Sequence, residues 1–402
     1  MRLFLLSPSS LRSSNFSATL FRPLRFPPRP VLFSRSRLSH ALFQNQEEET
    51  LPGYLAERYY PARIGEVPNS RYQILTKLGF GSASRGWLCR DLKCYRILKV
   101  HVRSRRPPQE IEVLRHLRSL PDDEHPGESH VRLPFDFFEV TGPHGVHPCL
   151  LYAPAGVDIR DFMSCLEDDA LPEELLRPTI RYVLLALDYL HRGNIIYTAR
   201  NLLLGIDNES ILSEIEEDEV SNPYPRKQLP GRTIYATRGM PVSTGQPLLS
   251  DLGEERIAES GNQVGLIMLS VHQAPEVMLE MEWDNKVDIW AVGQMAWTLF
   301  EKGHLFETCN VATESDHTRR YAEMIALLGP PPTEFLQRSK ISNWRGLAEI
   351  QTHTLEERES RLEGDNKTSF LEFLRKTLQW RPEDRPTAEE LLADKWVRGN
   401  DY

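Results

Sequence analysis

The chain has 402 residues, of which 40% are hydrophobic and 26% charged, with a formal net charge of −9 at pH 7. This length suits one large two-lobed domain or two average domains, and the composition is that of an ordinary globular protein. No run approaches the roughly 18 apolar residues that a membrane-spanning helix needs. The 5 cysteines have neither paired nor metal-site spacing, which argues against a disulfide framework or a zinc site.

Residues 1–46 form a separate segment. They contain 7 arginines, many Ser, Leu and Phe residues and no acid, which predicts a mitochondrial presequence. The alternative is a disordered basic arm on a cytoplasmic or nuclear protein, because Pro23, Pro27, Pro28 and Pro30 interrupt any amphipathic helix. The remaining residues carry 41 basic and 57 acidic side chains, a net charge of −16. This charge favours a basic protein partner over nucleic acid, although solubility alone also explains it.

The hydrophobic pattern from Arg71 onward predicts a small sheet. Residues 72–91 alternate around a glycine turn and indicate a hairpin, and YRILKV indicates a third strand. A helix follows with Ile111, Leu114 and Leu117 on one face, and then the strands VRLPFDFFEV and HPCLLYAP. We therefore predict a β-rich lobe over about 72–156, preceded by an extension at 47–71.

Helical patterns dominate beyond residue 171. In LPEELLRPTIRYVLLALDYLH the apolar residues follow the 3.6-residue period of a buried helix. Further helices are predicted in VDIWAVGQMAWTLFE, RRYAEMIALLG and SFLEFLRKTLQW. An acidic, proline-containing spacer over about 207–247 interrupts this helical lobe, which spans about 157–398. The predicted fold class is α+β, with two lobes.

Short motifs occur in the order found in eukaryotic protein kinases. They are LGFGSAS at 78–84, Lys99 in YRILKV, Glu110 in QEIEVL, Asp251-Leu252-Gly253, Ala274-Pro275-Glu276, DIWAVG with Asp288 and Trp290, and Arg385 in RPEDRPTA. Each is weak alone, but their order over roughly 300 residues makes the chain resemble that family. The resemblance implies the two-lobed kinase fold for residues 72–398 and an ion pair between Arg385 and Glu276.

Other segments narrow the resemblance to SR-protein kinases and their fungal relatives, over roughly residues 54–398. They are RIGEVPNSRYQILTKLGFG, WLCRDL, VTGPHG, YLH, Asp-Leu-Gly and the 50 positions from Asn201 to Asp251. The resemblance implies a serine/threonine kinase that uses ATP and Mg²⁺ and phosphorylates Arg-Ser-rich proteins. We expect it to act as a monomer and to make no direct contact with nucleic acid.

The same resemblance assigns the nucleotide site. Lys99 would bind the phosphates, Glu110 would pair with Lys99, and Asp251 and Asn201 would bind Mg²⁺. The residues expected to contact the nucleotide are Leu78, Gly79, Phe80, Gly81, Ser82, Ala83, Ser84, Gly86, Ile97, Lys99, Tyr152, Ala153 and Ala155. Tyr152 occupies a gatekeeper-like position, and Ala153 to Ala155 would offer backbone groups to the adenine edge.

Some pocket residues depart from the family pattern. Gly86 stands where a valine usually packs on adenine, and Ile97 stands where an alanine is usual. We expect Ile97 to fill part of the space that Gly86 leaves. His272-Gln273 replaces the usual Tyr-Arg before the Ala-Pro-Glu triplet, which affects how a protein substrate would be positioned.

The catalytic-loop segment IIYTARNLLL at 195–204 departs most from the family pattern. Tyr197 replaces the usual histidine, Ala199 stands at the position of the catalytic aspartate, and the loop is 3 residues shorter than the family pattern. Alanine cannot accept the proton of a substrate hydroxyl. His191-Arg192-Gly193 resembles the missing motif but is predicted to be the end of a helix, with Gly193 as the residue that terminates it.

Three hypotheses follow. The chain is an active serine/threonine kinase, an ATP-binding pseudokinase that acts as a scaffold or allosteric partner, or a kinase with an imperfect gene model, in which a shifted splice boundary deletes 3 loop residues in frame and alters those beside them. Lys99, Glu110 and Asp251 fit all three, because they concern nucleotide binding more than proton transfer.

Overall fold

The computed structural model describes most of the chain from residue 47 onward. The described residues are 47–92, 94–104, 106–121, 124–166, 168–197, 201–253, 255–258, 263–268, 272–306, 314–339 and 354–399. The predicted presequence or arm (1–46) and the Ala199 position lie outside them. No helix among the described residues is long and apolar enough to cross a membrane.

An antiparallel five-stranded sheet forms the first lobe, in the spatial order β1-β2-β3-β5-β4. Its strands are β1 (Tyr72–Phe80), β2 (Ser84–Asp91), β3 (Cys94–His101), β4 (Asp136–Gly142) and β5 (Gly145–Tyr152). Helix α1 (Gln109–Ser119) buries Ile111, Leu114 and Leu117, as their spacing predicts. The predicted hairpin, third strand and helix are therefore confirmed.

The spacer is an ordered layer on this lobe rather than a plain acidic loop. It contains α4 (Ser210–Ser221) and the hairpin of β8 (Arg226–Leu229) and β9 (Arg232–Tyr235). Leu212 and Ile215 of α4 pack in one apolar cluster with Leu88 of β2. In a second apolar cluster on the same sheet, the Tyr235 ring packs edge-on against the Trp87 ring, with 5.7 Å between the ring centres. Both faces of the sheet are thus covered, which explains why β1 and β2 have no exposed residue.

Part of the spacer's acidity is neutralised inside the molecule. Glu216 is buried, pairs with Arg90 and accepts a hydrogen bond from the Tyr95 hydroxyl at 2.7 Å. Glu219 is also buried and pairs with Arg238 at 3.0 Å. These two carboxylates serve to dock the spacer on the sheet and add nothing to an exposed acidic surface.

Helices make up the second lobe around α3 (Glu173–Arg192), whose inward residues Ile180, Leu184 and Leu187 lie in the main core. The others are α2 (Ile159–Met163), α5 (Pro275–Met278), α6 (Lys286–Phe300), α7 (Glu314–Leu328), α8 (Thr333–Leu336), α9 (Leu355–Arg358), α10 (Gly364–Thr377), α11 (Ala388–Leu392) and α12 (Lys395–Arg398). Gly193 caps α3, so the predicted helix end is confirmed.

Two short antiparallel strand pairs position the residues that lie between the lobes, among them Asn201 and Asp251. Strand β6 (Ile195–Ile196) pairs with β11 (Arg256–Ile257), and β7 (Asn201–Leu204) pairs with β10 (Pro247–Ser250). In the second pair Asn201 lies opposite Ser250. This register places Asn201 beside Asp251, although the spacer separates them in sequence.

Candidate active site

A cavity of about 600 Å³ lies between the two lobes. It contains most of the residues that the sequence predicts to bind nucleotide. The predicted residues that line it are Phe80, Gly81, Ser82, Ala83, Ser84, Gly86, Ile97, Lys99, Glu110, Tyr152, Asn201 and Asp251. The tertiary structure therefore brings the sheet residues and the two predicted Mg²⁺ ligands into one space.

Lys99 is at the centre of the charged groups in this cavity. Its Nζ lies 2.7 Å from Glu110 Oε1 and 2.7 Å from Asp251 Oδ1. Burial opposes the charge on Lys99, but Glu110, Tyr152 and Asp251 outweigh it and raise the pKa of the amine. Lys99 is therefore a fixed cation that links α1 to the segment after β10.

Asp251 is also held in place from the opposite side. The Asn201 amide donates to Asp251 Oδ2 at 3.1 Å. Burial raises the pKa of Asp251, but Lys99, His101 and Asn201 outweigh it, so the net pKa lies below its ordinary value. The carboxylate is thus ionised at neutral pH. Carboxylate and amide oxygens are the ligands that Mg²⁺ takes from proteins, so this pair fits a magnesium ion.

The glycine turn leaves room for phosphates to approach the backbone. A Cβ added at Gly79 would meet no atom within 4 Å, and one at Gly81 would meet only the Ser84 carbonyl oxygen, at 4.0 Å. Without side chains, these two glycines leave the backbone of the turn open to a phosphate chain. The turn and the acidic pair together fit MgATP.

A buried ion pair supports the lobe below the site. Arg385 Nη1 lies 2.6 Å from Glu276 Oε1, and Arg385 Nη2 lies 2.8 Å from Glu276 Oε2. Both side chains are almost fully buried. This is the pair that the sequence predicts, and it is confirmed.

Comparison with known proteins agrees with this geometry. A family model for the protein kinase domain matches residues 240–397. A serine/threonine protein kinase of Aspergillus fumigatus is 40% identical over 393 residues, which cover 94% of this chain and 97% of the relative. The chain belongs to the eukaryotic serine/threonine protein kinases.

Other relatives of this kinase include SR-protein kinases. The serine/threonine-protein kinase SRPK of Physarum polycephalum is 25% identical over 402 residues, covering 89% of this chain and 92% of the relative. Human SRSF protein kinase 3 is 30% identical over 206 residues, covering 48% of this chain and 35% of the relative. The predicted resemblance to this subfamily is confirmed.

The fold is similar to that of solved kinase structures. A crystal structure of a kinase domain matches with a TM-score of 0.61 at 20% identity, covering 85% of this chain and 99% of that chain. The predicted two-lobed α+β kinase fold is therefore confirmed.

Tyr197, which replaces the usual histidine of the kinase loop, supports the backbone near Asp251. Its hydroxyl donates to the Ser250 carbonyl at 3.0 Å, and its amide donates to Asp288 Oδ2 at 2.9 Å. His191 bonds the same Asp288 oxygen at 2.8 Å. The tyrosine thus has a structural role in this kinase. The predicted aspartate position, Ala199, lies outside the described residues, as do Thr198 and Arg200.

Four predicted nucleotide contacts do not line the cavity: Leu78, Gly79, Ala153 and Ala155. Leu78 packs at the edge of the apolar cluster that includes α4, and Gly79 pairs with Gly86 across the hairpin. The Ala153 carbonyl accepts hydrogen bonds from Arg132. Their contact with a nucleotide stays a prediction.

Sequence reasoning also missed several cavity residues: His101, Pro108, Gln109, Arg132, Asp158, Leu203, Ser250 and Gly253. Leu203 and Ser250 lie close in sequence to the predicted Mg²⁺ ligands Asn201 and Asp251, and this proximity is the signal that could have identified them. Arg132 carries no local signal, because its partners lie far away in sequence.

We expect His101 of this kinase to make stability depend on pH. Burial lowers the pKa of His101 from its ordinary 6.5 to about 4. Between these values the unfolded chain binds the extra proton, so stability is complete above pH 6.5 and falls as the pH drops toward 4. The wild type should therefore lose about 2 kcal/mol of unfolding free energy between pH 7 and pH 5 from this group.

Urea unfolding at both pH values measures the effect. His101→Gln should show a smaller loss than the wild type, because glutamine does not titrate. The exposed His144 provides the control, since His144→Gln leaves the buried ring in place. Equal losses in the wild type and His101→Gln would contradict the prediction.

Proposed function

We propose that this kinase binds MgATP in the cavity and transfers the γ-phosphoryl group to serines of Arg-Ser-rich proteins. The observation that carries the proposal is the double contact of Lys99 with Glu110 and Asp251, inside an open cavity. The names of the SRPK and SRSF relatives support the substrate class. The excess of acidic residues after residue 46 suits a basic substrate.

Each residue would have a distinct task. Lys99 would neutralise phosphate oxygens, and Glu110 would hold Lys99 in position. Asp251 and Asn201 would hold Mg²⁺, which supplies positive charge to the phosphates. In the transfer, the serine oxygen forms a bond to the γ-phosphorus while the bond from that phosphorus to the β–γ bridging oxygen breaks, which releases ADP. The serine proton passes to solvent water.

A second function is favoured by one specific observation, the alanine at position 199. General-base loss costs about 10²–10⁴ in rate. Among the described cavity residues, the carboxylates are Glu110, Asp158 and Asp251. Glu110 and Asp251 bind Lys99, and Asp158 caps α2 and pairs with Arg160. Since all three are engaged, the second candidate is an ATP-binding pseudokinase that acts as a scaffold or allosteric partner.

Nucleotide binding tests both candidates. We expect MgATP to raise the melting temperature of the full chain in a saturable way. Lys99→Met should weaken MgATP binding by about tenfold or more, because it removes a charge-assisted contact to phosphate. Lys227→Met is the matched control, since Lys227 pairs with Glu49 at 2.9 Å and does not line the cavity.

Transfer of labelled phosphate to an Arg-Ser peptide separates the two candidates. Turnover by the wild type that Asp251→Ala abolishes would support the kinase. MgATP binding without turnover would support the pseudokinase. Absence of MgATP binding would contradict both.

A further inference from the structure

Arg132 occupies the part of the cavity where the nucleobase edge is expected. Its backbone amide donates to the Leu249 carbonyl at 2.8 Å, which directs the residue toward the segment before Asp251. Its guanidinium carbon lies 4.8 Å from the centre of the Tyr152 ring, and its Nη1 donates to Ser250 Oγ at 3.4 Å. Arg132 therefore crosses the back of the cavity from Ser250 to Tyr152.

The other end of the guanidinium reaches the backbone that would read adenine. Arg132 Nε and Nη2 both donate to the Ala153 carbonyl oxygen, at 3.3 and 3.2 Å. A carbonyl oxygen has two lone pairs, so these two bonds use its acceptor capacity. Burial lowers the pKa of Arg132 to about 10, which still leaves it a cation at neutral pH.

The chemistry at this position distinguishes purines. The six-position of adenine carries an amine, which is a hydrogen-bond donor. It must therefore compete with Arg132 to donate to the Ala153 carbonyl oxygen. Guanine and hypoxanthine carry a carbonyl oxygen there, which is an acceptor. Two of the five guanidinium N–H groups of Arg132 remain beyond its bonds to Ala153 and Ser250, and such donors suit the O6 and N7 atoms of this base.

We propose that Arg132 is a specificity-determining residue, which disfavours adenine and favours purine nucleotides with an oxygen at position six. The proposal rests on the proposed function, since it concerns the nucleotide of the same cavity. It predicts that this kinase binds MgITP and MgGTP at least as well as MgATP.

The sharpest probes are MgATP and MgITP, because the amine of one is replaced by an oxygen in the other. We expect Arg132→Leu to lower the affinity for MgITP relative to MgATP by about tenfold or more, measured by calorimetric titration of the full chain. Arg132→Lys should give an intermediate ratio, because an ammonium lacks the planar fork. The melting temperature of each variant without nucleotide shows whether it is folded.

Arg96 provides the matched control. It also lies over an aromatic ring, Phe135 at 5.1 Å, and donates to a main-chain carbonyl at 2.9 Å, but it does not line the cavity. Arg96→Leu should keep the wild-type ratio. An unchanged ratio in Arg132→Leu, or equal weakening of both nucleotides, would overturn the proposal. If the wild type does not bind MgATP, the proposed function itself fails, and this inference, which rests on it, fails with it.

Discussion

Ala199→Asp alone is expected to leave phosphoryl transfer to an Arg-Ser peptide near the wild-type rate. In the family pattern the aspartate and asparagine are 5 positions apart, whereas positions 199 and 201 are 2 apart. Three missing residues remove up to about 10 Å of chain reach. Asn201 is engaged with Asp251 at 3.1 Å, so it cannot move away to make room without losing that contact.

Repair of both defects should have a much larger effect. We expect Ala199→Asp combined with a three-residue insertion before Asn201 to raise the rate by about 10²–10⁴ over Ala199→Asp alone. Steady-state transfer of labelled phosphate measures this, with MgATP affinity as the check that the nucleotide site is intact. The same insertion with Ala199 retained is the control. A full gain from Ala199→Asp alone would show that the loop length does not matter.

Arg385→Met should destabilise the kinase by about 3–5 kcal/mol, because it leaves the Glu276 carboxylate buried without its cation. The guanidinium also donates to the Gln379 and Lys286 carbonyls, at 2.9 and 3.0 Å. These groups lose their donors in the variant as well. Urea unfolding at pH 7 measures the difference in free energy.

A surface pair of the same type provides the comparison. Arg338 also bonds both oxygens of Glu383, but the two side chains are 50% and 47% exposed. Solvent screens such a pair, so Arg338→Met should cost less than about 1 kcal/mol. Similar losses for Arg338→Met and Arg385→Met would contradict the role given to burial.

Much of the charged site could be predicted from short motifs. Lys99, Glu110 and Asp251 lie in segments whose spacing indicates a strand, a helix and a following turn, and the structure joins them through Lys99 Nζ. The pairing of Arg385 with Glu276 was predictable for the same reason, since each belongs to a recognisable motif. The contacts of Leu78, Gly79, Ala153 and Ala155 with a nucleotide stay predictions.

Long-range contacts could not be read from local patterns. Arg132 meets Ala153 across 21 positions and Ser250 across 118 positions. The spacer carboxylate Glu216 meets Tyr95 across 121 positions. In sequence the spacer is only an acidic segment, because its partners are basic and aromatic residues of distant strands.

By itself, therefore, the sequence determined the kinase fold and the order of the elements, and it predicted an altered catalytic loop. Hydrophobic periodicity and turn residues act over a few positions, so they leave a readable local pattern. Only the tertiary structure decided that the spacer covers the sheet and that Arg132 contacts Tyr152, Ala153 and Ser250. Those features depend on which side chains come into contact when distant strands pack. Burial and charge pairing determine these contacts only in the folded chain.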